Sequence, residues 1–230
     1  MRNAARERKA VVILSGGLDS TVCMAAAVSV GLKVYGLTFD YGQRHRRELK
    51  AAAAVARHYG VEHTVVSLPD IFASNALTKE LNKLEVSGEI RAGIPATYVP
   101  ARNILFLSYG LAWAENVGAE QIYIGVNATD YTGYPDCRPA FIEAFQQMIE
   151  VGTEAGLNGR AIQICAPLMQ MTKKEIIQWG IELKAPLGLT HTCYQNAEPP
   201  CGVCDSCRLR KAGFAEAGKV DPLSFRPMLD

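Results

Sequence analysis

Short apolar runs alternate along this chain with stretches whose apolar positions recur every three or four residues. KAVVILS (9–15) predicts a strand, and TVCMAAAVSVG (21–31) a helix. KVYGLTFDYG (33–42) predicts a second strand and HRRELKAAAAVARHYG (45–60) a helix, with Gly60 placed to cap its C-terminus. EHTVVSL (62–68) is a third strand. After residue 98 the rhythm resumes. ARNILFLSYGLAWAENVG (101–118) predicts a helix, QIYIGVN (121–127) a strand, RPAFIEAFQQMIEVGTEAG (138–156) a helix and AIQICAPL (161–168) a strand. TKKEIIQWGIELKA (172–185) is a helix opened by a capping box of Thr172 and Glu175. CDSCRLRKAGFAEAG (204–218) is a last helix.

The alternation of strand and helix implies an α/β fold. It predicts a doubly wound, mainly parallel sheet of about five strands with helices on both faces. Residues 69–98, with Pro69, Gly88, Gly93 and Pro95, read as an insertion loop. The expected division is an α/β domain over 1–185 and a C-terminal tail over 186–230. Ligands of such sheets bind beyond the carboxyl ends of the strands. SGGLDS, DYGQRH and GVNATDYTGYPDCR each follow a strand, so all three should line one crevice.

Composition narrows the function classes. Of 230 residues, 49% are apolar and 20% charged, ample for one buried core. The net charge of +1 gives no global case for wrapping nucleic acid or coating an anionic membrane. The basic start MRNAARERKA is followed only by VVIL, too short for a signal sequence, and no run is long enough to span a bilayer. A cytoplasmic protein is expected, with its seven cysteines reduced unless metal holds them. QRHRRELK has the look of a basic patch for RNA, but with no global basic excess it reads rather as a solvated helix start or as positive charge (His45, Arg46) beside a bound anion.

SGGLDS carries the first chemistry. Gly16 and Gly17 permit backbone conformations closed to other residues, and the amides of such a loop with the next helix start form a nest for phosphate oxygens. Ser15 and Ser20 add hydroxyl donors. Asp19 is expected to order the loop or to hold a magnesium ion. The string is neither GxxxxGK[ST] nor GxGxxG. Strand–SGGxDS–helix resembles the pyrophosphate loop of the ATP pyrophosphatase (PP-loop) superfamily, whose members cleave ATP to AMP and pyrophosphate while adenylating a substrate. The resemblance implies ATP binding by Leu14, Ser15, Gly16, Gly17, Leu18, Asp19 and Ser20. It also sets Lys173 in the place of a lysine many of those enzymes bring to the phosphates.

Cys193, Cys201, Cys204 and Cys207 follow the spacing C-x7-C-x2-C-x2-C. Two overlapping CxxC units with a fourth cysteine nearby can present four thiolates tetrahedrally, which suits structural zinc, one per chain. An iron–sulfur cluster and a redox dithiol are the alternatives. Cys23 and Cys165 read as core residues. Cys137, in the loop YPDCR, belongs near the crevice.

SGGLDS, LTFDYGQRHRREL, YVPARN, GVNATDYTGYPDCRP and CGVCDSCRLR, in this order, resemble the 7-cyano-7-deazaguanine synthase family of queuosine biosynthesis. The resemblance covers residues 11 to about 215. It implies an enzyme that joins 7-carboxy-7-deazaguanine and ammonia at the expense of two ATP, passing through an adenylated acid, an amide and an adenylated amide. Zinc, magnesium with ATP, a homodimer and no nucleic-acid partner come with it. Within this frame Asp130 is a candidate base and Asp136 a candidate partner of the base's N–H edge. Tyr131 and Tyr134 are candidates to stack on the ring. Arg138 is assigned to the substrate carboxylate and Arg102 to the nucleotide phosphates. With no glutaminase segment apparent in the chain, free ammonia is the expected nitrogen source.

Overall fold

A computed structural model describes residues 7–68, 94, 97–127 and 133–226. Five strands form one sheet: β1 (Lys9–Ile13), β2 (Lys33–Asp40), β3 (Glu62–Ser67), β4 (Gln121–Tyr123) and β5 (Gln163–Cys165). Their order is β3-β2-β1-β4-β5, and every pairing is parallel. The order reverses beside β1, between β2 and β4, which is where open parallel sheets place their ligand crevice.

The helices are α1 (Leu18–Ser29), α2 (Arg47–Tyr59), α3 (Arg102–Val117), α4 (Pro139–Gly152), α5 (Glu154–Leu157), α6 (Lys173–Glu182) and α7 (Asp205–Glu216). They cover both faces. Along the central strand β1 successive side chains alternate between two cores. Val11 and Ile13 join Leu107 and Leu111 of α3 and Phe145 and Ile149 of α4. Ala10, Val12 and Leu14 join residues of α1, α2 and α6, and Phe214 of α7. Apolar residues on both sides of β1 explain why KAVVIL is a continuous run rather than an alternating one. Each fully buried valine or leucine contributes about 1.5–3 kcal/mol relative to exposure.

Three boundaries differ from the pattern reading, each for a local reason. First, α1 starts at Leu18, so Asp19 and Ser20 lie in its first turn rather than in a loop. Second, the run QIYIGVN pairs only over Gln121–Tyr123. After a last bond from Ile124 N–H to the Cys165 carbonyl (3.0 Å), the chain leaves the sheet across the start of α1. Third, the helix expected over 138–156 breaks. Thr153 is extended, accepts a bond from its own helix partner Gly156 N–H (3.0 Å), and starts α5. The Thr172–Glu175 capping box and the left-handed Gly60 cap are both present. The expected insertion lies almost wholly outside the described residues.

Candidate functional site

The carboxyl ends of β1, β2 and β4 open into a crevice of about 280 Å³. The SGGLDS turn forms one wall. Gly16 has φ +87°, and a Cβ there would sit 2.2 Å from the Glu48 carbonyl oxygen and 2.5 Å from the Ala52 nitrogen. This glycine is therefore demanded twice, by backbone conformation and by the close approach of α2. Gly17 is the N-cap of α1 and supplies no side-chain acceptor. The first-turn amides of α1 consequently keep their donor capacity for a ligand. The Ser15 and Ser20 hydroxyls lie 3.0 Å apart, and Ser15 Oγ accepts from Gly17 N–H (3.2 Å). Leu18 also lines the crevice. Leu14 acts as the strand end: its N–H donates to the Leu37 carbonyl, and its own carbonyl accepts from Thr38 Oγ1.

Opposite stands Lys173, the first residue of α6. Its Nζ donates to both oxygens of Asp19 at 2.7 Å, across 154 positions of chain. Asn127, at the end of the segment leaving β4, donates its Nδ2 to the same carboxylate (3.1 Å). Asp19 thus orders the loop and fixes Lys173 over it. Gly125 permits this, since a Cβ there would lie 3.1 Å from the Ser20 nitrogen.

The third wall comes from α3 and the short helical turn Pro135–Cys137. Arg102 lines the crevice. Burial alone would pull its guanidinium down, but Tyr41, Cys137 and Asp136 around it more than offset this, so it stays cationic. Among the described residues its buried Nε has no acceptor. Tyr134 faces the crevice, with its hydroxyl 2.6 Å from Thr97 Oγ1. Asp136 is buried behind this wall. Its Oδ2 accepts from Asn103 N–H (2.9 Å) in the first turn of α3, and its carbonyl accepts from Asn103 Nδ2 (3.0 Å). The same amide donates to Cys137 Sγ (3.2 Å). Asp136 therefore ties the GYPDC turn to α3, and Arg138 is exposed at the N-cap of α4, outside the residues that line the crevice as it stands. Asp130 and Tyr131 lie outside the described residues.

The DYGQRH turn brings Tyr41 and His45 to the crevice and is braced against α2. Gln43 Nε2 donates to Glu48 Oε1 (2.9 Å), and His45 Nε2 lies 3.1 Å from Glu48 Oε2. Arg46 pairs with Asp40, and Arg47 pairs with Glu198 and donates from its Nε to the Asn196 carbonyl (3.0 Å). Arg46 and Arg47 are thus used in internal pairing, and Arg47 fastens α2 to the C-terminal tail.

That tail carries Cys193, Cys201, Cys204 and Cys207, all buried, with their sulfurs within 4.8 Å of one another. Backbone amides face the sulfurs: Cys201 N–H donates to Cys193 Sγ and Cys204 N–H to Cys201 Sγ, both at 3.4 Å. Gly202, at φ +76°, makes the turn inside the first CxxC unit, Cys201 to Cys204. The thiols share their hydrogen bonds unequally. Cys193 is driven down as acceptor from Cys204 and Cys207, while Cys204 is pushed up to about 11 and Cys207 is pushed up as well. A cation at their centre would remove this competition by holding all four as thiolates. The four cysteines fit a metal ion.

The tail also grips the SGGLDS loop. His191 N–H donates to the Gly16 carbonyl (2.9 Å). Arg210, only 2% exposed, holds Asp221 with two bonds (2.7 and 2.9 Å) and reaches Thr190 and the Leu187 carbonyl. Asn103, Asn127 and Arg210 carry no chemical signal of their own in the sequence, whereas His191, next to the cysteines, reads there as a possible substitute ligand. Asn103 and Asn127 lie inside the motifs YVPARN and GVNATDY, and that was the available signal.

A doubly wound parallel sheet, a glycine-rich loop at the switch point and a tail of four clustered cysteines that could hold a metal ion define the class of this α/β protein. The fold is shared with the NMN synthetase of Francisella tularensis, at a TM-score of 0.51 and 17% identity, over 94% of this chain and 79% of that one. The family model for "Queuosine biosynthesis protein QueC" matches residues 9–218. This chain is 54% identical over 220 residues to the 7-cyano-7-deazaguanine synthase of Desulfitobacterium hafniense, covering 95% of this chain and 93% of the relative. It is 52% identical over 219 residues to that of Acetivibrio thermocellus, covering 95% and 98%. The chain belongs to the QueC family of queuosine biosynthesis proteins.

Proposed function

We infer that this protein is a 7-cyano-7-deazaguanine synthase, converting 7-carboxy-7-deazaguanine and ammonia to the nitrile with two ATP. The observation that carries this reading is the meeting of Lys173 and the SGGLDS loop at the crevice, in a chain 54% identical to a synthase of that name. A carboxylate is a poor electrophile, and hydroxide is a poor leaving group. Attack of one carboxylate oxygen on the α-phosphorus of ATP expels pyrophosphate and gives an acyl-adenylate. Ammonia displaces AMP to give the amide, losing a proton. The amide oxygen then attacks a second ATP, pyrophosphate leaves again, and loss of the N–H protons with departure of AMP leaves the nitrile.

In this reading the first-turn amides of α1 and the hydroxyls of Ser15 and Ser20 bind the pyrophosphate oxygens. Lys173, released in part from Asp19, follows the negative charge that develops as pyrophosphate leaves. Arg102 supplies a fixed cation on the opposite wall, and its unpaired Nε suits a phosphate oxygen. Tyr134 offers a ring for stacking. Asp130 remains the proposed proton acceptor for ammonium, Tyr131 a second stacking ring and Asp136 a contact to the guanine-like edge, with Arg138 toward the carboxylate. Asp136 can serve the substrate only through the oxygen not bound to Asn103.

The metal of the tail is proposed to be zinc in a structural role. Tetrahedral Zn–S bonds of about 2.3 Å place the sulfurs ~3.8 Å apart, and Cys201 Sγ lies 3.9 Å from Cys207 Sγ. The thiolates of a four-iron cluster stand outside the corners of a cube and would be spread wider. Magnesium is proposed to arrive with ATP and to neutralise its phosphates. Asp19, whose oxygens both meet Lys173, holds the loop. A homodimer and a cytoplasmic location complete the proposal.

The test is a stoichiometry. The protein, with magnesium ATP and an ammonium salt, should release two AMP and two pyrophosphate for each 7-carboxy-7-deazaguanine consumed. ATP cleavage that ignores the free base and responds to tRNA would overturn the reading.

A further inference from the structure

Lys173 reaches the phosphate loop because the metal-binding tail leaves room for it. Its side chain crosses α7 at Gly213, a buried position in the middle of that helix. A Cβ on Gly213 would lie 2.6 Å from Lys173 Cγ, 3.2 Å from Lys173 Cβ and 2.9 Å from Ile177 Cδ1. The atoms in the way belong to the base of the lysine side chain, which cannot swing aside as a side-chain tip could. Glycine is a poor helix former, and in the interior of a helix alanine is preferred. Its presence here, in a helix that otherwise obeys that preference, points to the space it leaves. Further along the same face α6 is docked onto α1 through Gly180, where a Cβ would meet Val22 Cγ2 at 2.8 Å. Helix α6 thus packs against both α1, which carries Asp19, and α7, which follows directly from the cysteine cluster.

We propose that Gly213 is a positioning residue for Lys173: the notch it makes in α7 seats the lysine stem so that Nζ lies over the SGGLDS loop, and through it the metal-binding tail sets the geometry of adenylation. The proposal rests on the reading of the crevice as an adenylation site. In this arrangement the tail serves catalysis as well as stability. Displacing the Lys173 stem by the width of a methyl group moves Nζ off Asp19 and off the phosphates, and misplacements of this size cost about 10²-fold in rate.

The test compares Gly213→Ala with Ala212→Gly, its exposed neighbour on α7. Both are made in the metal-loaded protein, and kcat, KM for ATP and for the base, metal content and Tm are followed. Gly213→Ala should lower kcat at least about tenfold with metal content unchanged and KM for the base unaltered. Ala212→Gly weakens α7 without touching Lys173 and should keep wild-type kcat. A double-mutant cycle in Tm reads the contact without reference to activity. Gly213→Ala should lower Tm in the wild-type background, and the effect should shrink or reverse in Lys173→Ala, where the obstructing stem is gone. Coupling in Tm with no activity in the wild-type protein would sink the adenylation reading while leaving the contact intact. Additive Tm effects, an unchanged kcat in Gly213→Ala, or an equal loss in Ala212→Gly would each overturn the positioning role. If Gly213→Ala yields no folded protein, the Gly213→Ala/Lys173→Ala variant must fold, and its failure to do so would also overturn it.

Discussion

At the scale of single residues, the crevice depends on side chains that are missing as much as on those present. Gly16 lets α2 press against the SGGLDS loop, and Gly125 lets the segment after β4 cross the start of α1. Gly16→Ala would meet the Glu48 carbonyl at 2.2 Å from a left-handed backbone. We expect it to reduce ATP-dependent turnover by at least about tenfold and to lower Tm, read by a turnover assay and thermal melting. The motif SGGLDS marks a turn that needs glycine, and the demand is legible at Gly16, whose φ is +87°. What could not be read was which neighbour forbids a Cβ, because α2 comes from another part of the chain. Asp19 shows the same limit. Its carboxylate was assigned to loop order or magnesium, and its partner, Lys173, lies 154 positions away. Conversely, Asp136 looked like a recognition group from its motif, while its Oδ2 accepts an amide of α3.

At the scale of elements, the sequence showed strands and helices clearly where periodicity and end signals agreed. The Thr172–Glu175 box is the best instance: Glu175 Oε2 accepts from Thr172 N–H and from its hydroxyl, both at 2.8 Å. These bonds hold the Glu175 carboxyl below its ordinary range. Because the folded-state value is lowered, the stabilisation is present above the ordinary carboxylate range and is lost as pH falls through the lowered value. Glu175→Gln should therefore melt below the wild type at neutral pH, and the two melting curves should converge in acid. A gap independent of pH would contradict this. The ends that escaped the pattern, at α1, β4 and α5, are places where tertiary contacts or a single threonine override an apolar run.

At the scale of the whole molecule, the cysteine-bearing tail is a strap across the sheet's carboxyl edge. It touches the phosphate loop through His191, α2 through Asn196 and Glu198, and α6 through α7. The four-cysteine spacing makes the buried thiol cluster legible in the sequence, but not that the strap reaches the SGGLDS loop. Two variants separate its roles. Cys204→Ser should lose the metal, lower Tm by at least about 10 °C, and lower turnover with it. Asp221→Ala should strip a buried arginine of its partner and cost about 3–5 kcal/mol by denaturant unfolding while keeping the metal. Equal metal loss in both would contradict the separation. The central claim concerns the chemistry performed beneath this strap, and 7-carboxy-7-deazaguanine labelled with ¹⁸O in both carboxylate oxygens tests it most directly. Incubated with the protein, magnesium ATP and ammonium, and followed by mass spectrometry, it should pass through the amide to the nitrile, each of two AMP molecules carrying one ¹⁸O. An unchanged acid in folded, metal-loaded protein, or label recovered in inorganic phosphate, would contradict it.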